Sequence, residues 1–216
     1  MIIADAVIFI VDDDSLIRDS LEQLVKSVGF KAETFSSAQA FLDTELSNTP
    51  GCLILDIRMP GLSGLDLQSE LLKRRIPIPI IFITGHGTVP MSVRAMKAGA
   101  VDFLQKPFED QELLDLIHHA IDRNRQERLE QAELDKIEQR IKSLTLREHE
   151  ILVLVTDGQL NKRIAYDLKM SENTVKTHRA RIMRKMEVES LAELVRVTEK
   201  AGIHTISPLK KTSTFK

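Results

Sequence analysis

The sequence contains almost nothing that would support a covalently cross-linked or membrane-embedded protein. There is a single cysteine in 216 residues, which excludes a disulfide framework and any zinc or iron–sulfur site built from several cysteines. No apolar run approaches the roughly 20 residues that a membrane helix needs. The segment Met1–Val11 lacks both the basic leader and the small-residue cleavage site of a secretion signal. We therefore expect a cytoplasmic location and no membrane partner.

Net charge is also nearly absent, but the two halves of the chain carry opposite charges. The composition, 43% hydrophobic and 29% charged residues, is that of a globular protein and excludes the disordered and collagen-like classes. Residues 1–120 contain 10 Lys+Arg and 17 Asp+Glu, a net charge of −7. Residues 121–216 contain 20 and 15, a net charge of +5. An acidic half and a basic half indicate domains with different partners.

Short apolar runs alternate with amphipathic segments in the first half of the chain. The runs, one of them weaker, are Ala6–Val11, Phe30–Phe35, Cys52–Leu55, Ile80–Ile83 and Val101–Leu104. Such continuous apolarity is typical of strands that are covered on both faces, as in a parallel sheet. Helices are predicted between and after them, at Ser15–Val28, Ala38–Leu46, Leu65–Arg74, Val89–Ala98 and Asp110–Ile121. The five repeats predict an α/β domain with a doubly wound, five-stranded parallel sheet.

The second half has no strand pattern and predicts an all-α domain. Thr145 and Glu148 have the spacing of a capping box, which begins a first helix. Three further helices are predicted, at Asn161–Leu168, from Ser171 to about Met186, and at Ser190–Glu199. The predicted organisation is an α/β domain over residues 5–122, a long helical linker over 123–142, a four-helix domain over 143–204 and a polar tail over 205–216.

The linker is densely charged and has neither Pro nor Gly, so we predict a helix rather than a flexible coil. Its apolar residues recur at spacings of three and four: Leu134, Ile137, Ile141 and Leu144. This short stripe allows two interpretations, because it can pack on its own domain or form a coiled coil between two chains.

Polar residues with chemical capacity follow the predicted strands: Asp12, Asp13, Asp56, Thr84 and Lys106. We expect them to converge, because ligands of open α/β sheets bind beyond the carboxyl ends of the strands. Clustered carboxylates with one lysine are costly unless a cation neutralises them, and oxygen ligands of this kind suit Mg²⁺. Asp56, which ends a central strand, is the candidate nucleophile towards phosphorus. Lys106 and Thr84 would then contact the phosphoryl oxygens.

These residues lie in motifs that resemble the receiver domain of two-component response regulators. The motifs are Val11–Asp14, Asp56–Gly61, Thr84–Gly87 and Lys106–Phe108. The resemblance implies a flavodoxin-like fold and phosphorylation of Asp56 by a sensor histidine kinase. It also implies that Asp13, Asp56 and the backbone carbonyl of Arg58 bind Mg²⁺, with Asp12 assisting.

The same resemblance implies a conformational switch. Thr84 and Phe103 match the switch pair of the family, in which the hydroxyl moves to the phosphate and the aromatic ring turns inward. Lys106-Pro107 matches its cis-peptide site. Arg58 and His86 stand where the family varies beside the phosphate, and we hypothesise that they tune the lifetime of the phosphoryl group.

A second candidate site is the basic region 161–186, which contains eight Lys/Arg residues and only two Asp/Glu residues. The cations are Lys162, Arg163, Lys169, Lys176, Arg179, Arg181, Arg184 and Lys185. On the third helix of this domain Val175, Ile182 and Met186 share one face, whereas Lys176 and Arg181 point the other way. An apolar inner face with a basic outer face fits a helix-turn-helix whose second helix reads the major groove. The alternative is a solvated basic surface on an ordinary helical bundle.

Three segments of this region resemble the LuxR/NarL-type helix-turn-helix, and with the first domain they look closest to the FixJ-like branch. The segments are Leu144–Glu148, Asn161–Ala165 and Thr174–His178. The resemblance implies that Lys176 and Thr177 contact bases. It implies backbone contacts by Asn161, Lys162, Thr174 and Arg181, and a dimer surface formed by Leu191, Leu194 and Val195.

The leading hypothesis is a phosphorylation-switched transcription regulator, an activator and not an enzyme. It would dimerise on phosphorylation and bind double-stranded promoter DNA, with RNA polymerase as a candidate partner. A Mg²⁺-dependent phosphatase is disfavoured, because Arg58 stands where such enzymes have a second acid. A flavin-binding domain is also disfavoured, because it would need a Ser/Thr-rich phosphate loop after the first strand and the sequence has none there. An RNA-binding helical bundle is the third alternative.

Overall fold

Five parallel strands form one sheet, as the apolar runs predict. The strands are β1 Val7–Val11, β2 Lys31–Phe35, β3 Gly51–Asp56, β4 Ile80–Thr84 and β5 Asp102–Gln105. Their order across the sheet is β2-β1-β3-β4-β5. Every residue of β1, β3 and β4 except Asp56 and Thr84 is apolar or Gly, and all are buried, because helices cover both faces. The strand order reverses between β1 and β3, which creates a crevice at their carboxyl ends.

The computed structural model describes residues 6–45, 49–85 and 87–202. By its internal contacts the chain divides into two units, Met1–Leu129 and Glu130–Lys216. Within the described ranges no helix is both long and apolar enough to span a membrane. The predicted tail 205–216 and His86 lie outside the described residues.

Four helices of the first unit connect its strands: α1 Ser15–Ser27, α2 Ala38–Leu42, α3 Gly64–Lys73 and α4 Val89–Lys97. The prediction for α2 was too long, since it extended to residue 46. The helix ends at Leu42 because the Thr44 amide closes a tight turn on the Phe41 carbonyl, and the Thr44 hydroxyl donates to the Ala40 carbonyl.

The two faces of the sheet carry separate apolar cores. Ile8 and Ile10 of β1 point to the face covered by α1 and the helix that follows β5, whereas Phe9 points to the face covered by α2, α3 and α4. This alternation follows from the two-residue period of a strand. Full burial of one such side chain contributes about 1.5–3 kcal/mol. Packing of buried side chains on both faces of the sheet therefore fixes the positions of the strands and of the residues at their ends.

The helix after β5, α5, is a single element over Asp110–Lys142. The predicted end at Ile121 was wrong, because the charged segment beyond it contains no helix breaker and continues with pairs such as Arg123 and Glu127 at 2.8 Å. Buried Asn124 ties α5 to the sheet: its Oδ1 accepts from the Gly51 amide at 3.2 Å, and its Nδ2 donates to the Pro77 carbonyl at 2.8 Å.

The second unit packs the end of α5 with α6 Leu146–Thr156, α7 Asn161–Asp167, α8 Glu172–Met186 and α9 Leu191–Lys200. Ile137 is 2% exposed within this core, and Ile141 and Leu144 pack against it. Three of the four residues of the apolar stripe therefore pack on their own domain, which favours the first of the two interpretations. The predicted capping box is confirmed, with Thr145 and Glu148 bonded to each other's backbone amides.

Candidate functional site

Three residues from distant parts of the sequence meet at the carboxyl ends of β1, β3 and β5. The Lys106 ammonium lies 2.7 Å from Oδ2 of Asp12 and 3.1 Å from Oδ1 of Asp56. Asp12 is 1% exposed and Asp56 6%. The expected convergence of these strand-end residues is confirmed for this trio. Charge-assisted hydrogen bonds of this kind are about twice as strong as neutral ones, so the two carboxylates are firmly held.

Backbone amides hold the second oxygen of each carboxylate. The Asp14 amide donates to Oδ1 of Asp12 at 2.9 Å, and the Arg58 amide donates to Oδ2 of Asp56 at 2.6 Å. The Arg18 guanidinium donates to the backbone carbonyl of Asp12 at 2.7 Å. Both carboxylates are therefore oriented by the loops that follow their strands, and Arg18 is a contributor that sequence reasoning missed.

The cluster has fewer positive charges than carboxylates. Burial raises the pKa of Asp56, and the charge of Asp12 acts in the same direction against the lowering effect of Lys106 and the Arg58 amide. Burial alone would lower the pKa of Lys106, but the hydrogen bonds and charges of Asp12 and Asp56 outweigh it and raise that pKa. Lys106 is thus a permanent cation, and the site still favours a further positive charge.

The donor set fits Mg²⁺ better than a metal centre built entirely from protein ligands. Among the described residues no three His, Cys, Asp or Glu side chains are grouped as a metal site. Asp13, the neighbour of Asp12, is exposed. Mg²⁺ commonly binds through one or two carboxylates, keeps several waters and completes its shell with phosphate oxygens. Two oriented carboxylates and an exposed third meet that requirement.

The predicted switch residues Thr84 and Phe103 meet at Gly87, the last residue of the Thr84–Gly87 motif. Thr84 is 1% exposed and Phe103 half-buried. A Cβ placed on Gly87 would lie 2.8 Å from two carbons of the Phe103 ring and 3.0 Å from Cγ2 of Thr84. Only glycine fits there without a shift of the ring. The cis peptide predicted at Lys106-Pro107 is present.

The third helix of the basic domain, α8, has the two faces that its sequence predicts. Val175, Ile182 and Met186 are at most 1% exposed in the core of the second unit. Lys176 and Arg181 are exposed on the opposite side. The first turn is capped by Ser171, whose hydroxyl accepts from the Thr174 amide at 3.1 Å. The outer face is thus free to enter a groove while the inner face anchors the helix.

Three of the eight cations of this region are engaged inside the domain. Lys185 contacts Glu148 at 2.6 Å, Arg179 donates to Oδ1 of Asn161 at 2.7 Å, and Arg163 pairs with Asp167 at 2.9 Å. The other five are exposed and form no ion pair with another residue in the described part of the chain: Lys162, Lys169, Lys176, Arg181 and Arg184. The surface available to a polyanion is therefore smaller than the sequence count indicates.

The polar residues implied as DNA contacts differ in their exposure and in the hydrogen bonds that their side chains already form. The Thr177 hydroxyl donates to the Asn173 carbonyl at 3.0 Å, and the Thr174 hydroxyl shares a 2.8 Å hydrogen bond with Ser171. Asn161 is half-buried, and its side-chain oxygen already accepts from Arg179. Lys162, in the first turn of α7, is exposed.

The implied dimer surface requires a correction. Leu191 is 40% exposed and Val195 is half-buried, so both can contact a second chain. Leu194 is 1% exposed and belongs to the core, packed with residues such as Ile151. Its inclusion in the surface was wrong, because on α9 it faces the other helices of its own domain.

Two further ion pairs of the second unit have no local signal in the sequence. Glu148 was found as a cap, but its partner Lys185 is 37 residues away. Arg140 of α5 pairs with Glu187, 47 residues further along.

Comparison with known families accounts for both units. The family described as "Response regulator receiver domain" matches residues 8–118, and the family described as "Bacterial regulatory proteins, luxR family" matches residues 142–198. These matches favour the response-regulator hypothesis over the phosphatase, flavin-binding and RNA-binding alternatives.

Individual relatives are similar along nearly the whole chain. Nodulation protein W of Bradyrhizobium diazoefficiens is 48% identical over 198 residues, 92% of this chain and 87% of the relative. The transcriptional regulatory protein FixJ of the same organism is 43% identical over 91% of this chain and 96% of its own length. The solved structure of the response regulator StyR superposes with a TM-score of 0.83 at 49% identity, covering 91% of this chain and all of that one. The chain therefore belongs to the two-component response regulators with a LuxR-type DNA-binding domain, and it is a transcription regulator rather than an enzyme.

Proposed function

We propose that Asp56 is the phosphoryl acceptor and that its phosphorylation, by a sensor histidine kinase and with Mg²⁺, controls DNA binding. The observation that carries the proposal is the trio formed by the buried Asp12 and Asp56 with the half-buried Lys106. The Lys106 contacts at 2.7 and 3.1 Å place one cation between two oriented carboxylates. Such a site can attack phosphorus with a carboxylate oxygen and retain the charge of the product.

In this proposal each residue of the trio has a separate role. An Asp56 oxygen forms a bond to phosphorus while the bond from phosphorus to the kinase histidine nitrogen breaks. Lys106 contacts a phosphoryl oxygen as a fixed point charge. Asp12, Asp13, Asp56 and the Arg58 carbonyl would bind Mg²⁺. The ion supplies charge neutralisation for the transferred group.

Thr84 and Phe103 would transmit the effect of the new charge to the protein surface as a conformational change. The Thr84 hydroxyl would donate to the phosphoryl group, and the Phe103 ring, which lies against the same glycine, would turn into the space that Thr84 leaves. A new charge acts as a switch when it shifts the equilibrium between two conformations of the same surface. Arg58 and His86 would tune the lifetime of the phosphoryl group from outside the trio.

The output in this proposal is a dimer on promoter DNA. Phosphorylated chains pair, and Leu191 and Val195 contribute to the contact between the DNA-binding domains. Helix α8 enters the major groove with Lys176 and Thr177 towards the bases, while Asn161, Lys162, Thr174 and Arg181 contact the DNA backbone. We propose that the dimer activates transcription, with RNA polymerase as a further partner, in the cytoplasm.

The deciding experiment compares Asp56→Asn with the wild-type chain in the presence of a small acyl phosphate and Mg²⁺. DNA affinity is measured by fluorescence anisotropy on a duplex selected from a random pool. The wild type should gain affinity on adding the phosphodonor, and Asp56→Asn should not. Asp115→Asn, an exposed carboxylate on α5, is the matched control and should respond as the wild type. A response by Asp56→Asn would refute the proposed switch.

A further inference from the structure

Helix α8 ends on a residue in a conformation that does not suit its side chain. Glu187 has φ 53° and ψ 48°, the left-handed region. Glycine takes this conformation freely, whereas a residue with a Cβ is strained there. Glu187 is also 65% exposed, so burial of its side chain does not stabilise the cap. Its presence therefore needs another physical reason.

The reason lies in a contact with the linker helix. Arg140, two residues before the end of α5, forms an ion pair with the Glu187 carboxylate through Nη2. Its Nη1 donates to the backbone carbonyl of Met186 at 3.3 Å. Arg140 thus binds both the side chain that follows α8 and a terminal carbonyl of that helix. A planar guanidinium with two donors in a fixed geometry restrains orientation as well as distance.

A second contact joins the same two segments. The Lys185 ammonium donates to the Ser143 carbonyl at 3.0 Å and to Oε2 of Glu148 at 2.6 Å. Ser143 directly follows α5, so consecutive residues at the end of α8 are bonded to the last turn of the linker helix and the residue after it. Met186, between Lys185 and Glu187, is fully buried in the core.

We infer that Arg140 is a positioning residue for the reading helix α8 and that Glu187 is its anchor. Exposed ion pairs stabilise folds little, and the left-handed backbone of Glu187 costs a comparable amount. The pair therefore changes stability little but fixes the end of α8 relative to the end of α5, which a glycine at 187 could not do. This inference rests on the proposal that α8 reads DNA.

The experiment uses the full-length chain and compares Arg140→Ala and Glu187→Gly with the wild type. Unfolding temperature is measured by calorimetry, and Kd is measured for the selected duplex and for an unrelated duplex. Amide hydrogen exchange of residues 140–142 reports whether the linker end stays bound. Lys136→Ala, which removes an exposed cation one turn earlier on α5, controls for the lost charge.

Glu187→Gly should keep or raise the unfolding temperature, because glycine adopts the left-handed conformation without strain. It should nevertheless weaken binding to the selected duplex by about five-fold, leave binding to the unrelated duplex unchanged and speed exchange at residues 140–142. Arg140→Ala should have the same effect on selected binding, the double variant should be no weaker than either single one, and Lys136→Ala should bind normally.

Selected binding that stays at the wild-type level in Glu187→Gly would overturn the inference, even if Arg140→Ala did not fold. Lys176→Ala separates this failure from a failure of the proposed function. If Lys176→Ala weakens selected binding while Arg140→Ala and Glu187→Gly do not, only the positioning role is wrong. If Lys176→Ala also binds normally, α8 does not read DNA and both proposals are wrong.

Discussion

The Lys185 ammonium lies 2.6 Å from Oε2 of Glu148, and this pair joins the end of α8 to the start of α6. The Glu148 side chain is 4% exposed. The hydrogen bond from Lys185, followed by the one from the Thr145 amide, lowers the pKa of Glu148 from 4.5 to about 2. An acid whose pKa is lower in the folded state stabilises that state above its unfolded pKa.

Glu148→Gln should therefore destabilise the second unit by about 2 kcal/mol at neutral pH. The difference from the wild type should shrink as the pH falls from 4.5 towards 2, because the wild-type carboxylate is protonated in that window. Calorimetry of the full chain at stepped pH measures this. Glu150→Gln, which breaks an exposed pair with Arg147, should have little effect. A Glu148→Gln unit as stable as the wild type at neutral pH would contradict this assignment.

Replacing the proposed phosphoryl acceptor should stabilise the first unit. Asp56→Asn removes a buried charge whose pKa burial raises, so the unfolding temperature should rise by about 4 °C at neutral pH. Lys106→Met should have the opposite effect and destabilise the unit by about 3 kcal/mol, because two buried carboxylates lose their cation. Calorimetry distinguishes these outcomes. A lower unfolding temperature for Asp56→Asn would show that its pairing with Lys106 outweighs its burial.

The space between Thr84 and Phe103 should tolerate no side chain at position 87. Gly87→Ala places a methyl 2.8 Å from the Phe103 ring, so the ring must move, at a cost of about 1–3 kcal/mol. NMR of a fluorinated phenylalanine at 103 should show the displaced ring before any phosphodonor is added. Gly85→Ala is the matched control, since its methyl would meet nothing within 4 Å. An unchanged Phe103 signal in Gly87→Ala would refute the steric argument.

The single cysteine should be chemically inert in the native protein. Cys52 is fully buried in β3, and burial raises the pKa of its thiol to about 12. Only the thiolate reacts readily, so a thiol reagent such as Ellman's should modify Cys52 only as the first unit unfolds. The control is the same chain in denaturant, where the thiol should react at once. Fast modification of the folded chain would contradict the buried position.

DNA affinity should depend on salt through the unpaired cations of the second unit. Each phosphate contact contributes about −0.9 to the slope of log K against log salt concentration. Arg181→Ala and Lys162→Ala, which remove two of the proposed backbone contacts, should each make the slope shallower by about 1. Lys200→Ala, a cation on α9 that pairs with Glu133 at 2.6 Å, should leave it unchanged. Wild-type slopes in Arg181→Ala and Lys162→Ala would mean that these two cations do not contact the phosphates.

The fold could be predicted from the sequence because its signals are local and periodic. Continuous apolar runs that end in polar residues identified the strands and also the edge of the sheet where Asp12, Asp56 and Lys106 meet. The two faces of α8 followed from helical spacing alone. In both cases one short segment contains the whole pattern.

What could not be predicted depends on partners that are distant in sequence. Leu191 and Leu194 lie three residues apart on α9 and are both leucines in the same helix. Leu191 is 40% exposed, whereas Leu194 is buried, and only the packing of α9 on its own domain shows this difference. The partner of Glu148 lies 37 residues away. The role of Gly87 depends on a ring carried by another strand.

Lys106 joins residues that lie 94 and 50 positions before it in the chain. During synthesis Asp12 and Asp56 leave the ribosome long before the lysine that neutralises them, and until β5 joins the sheet they are two carboxylates without their cation. The acidic cluster is therefore complete only in a finished, folded first unit. A nascent or truncated chain that lacks β5 also lacks Lys106, so under the proposed function it would have no complete phosphoryl-acceptor site.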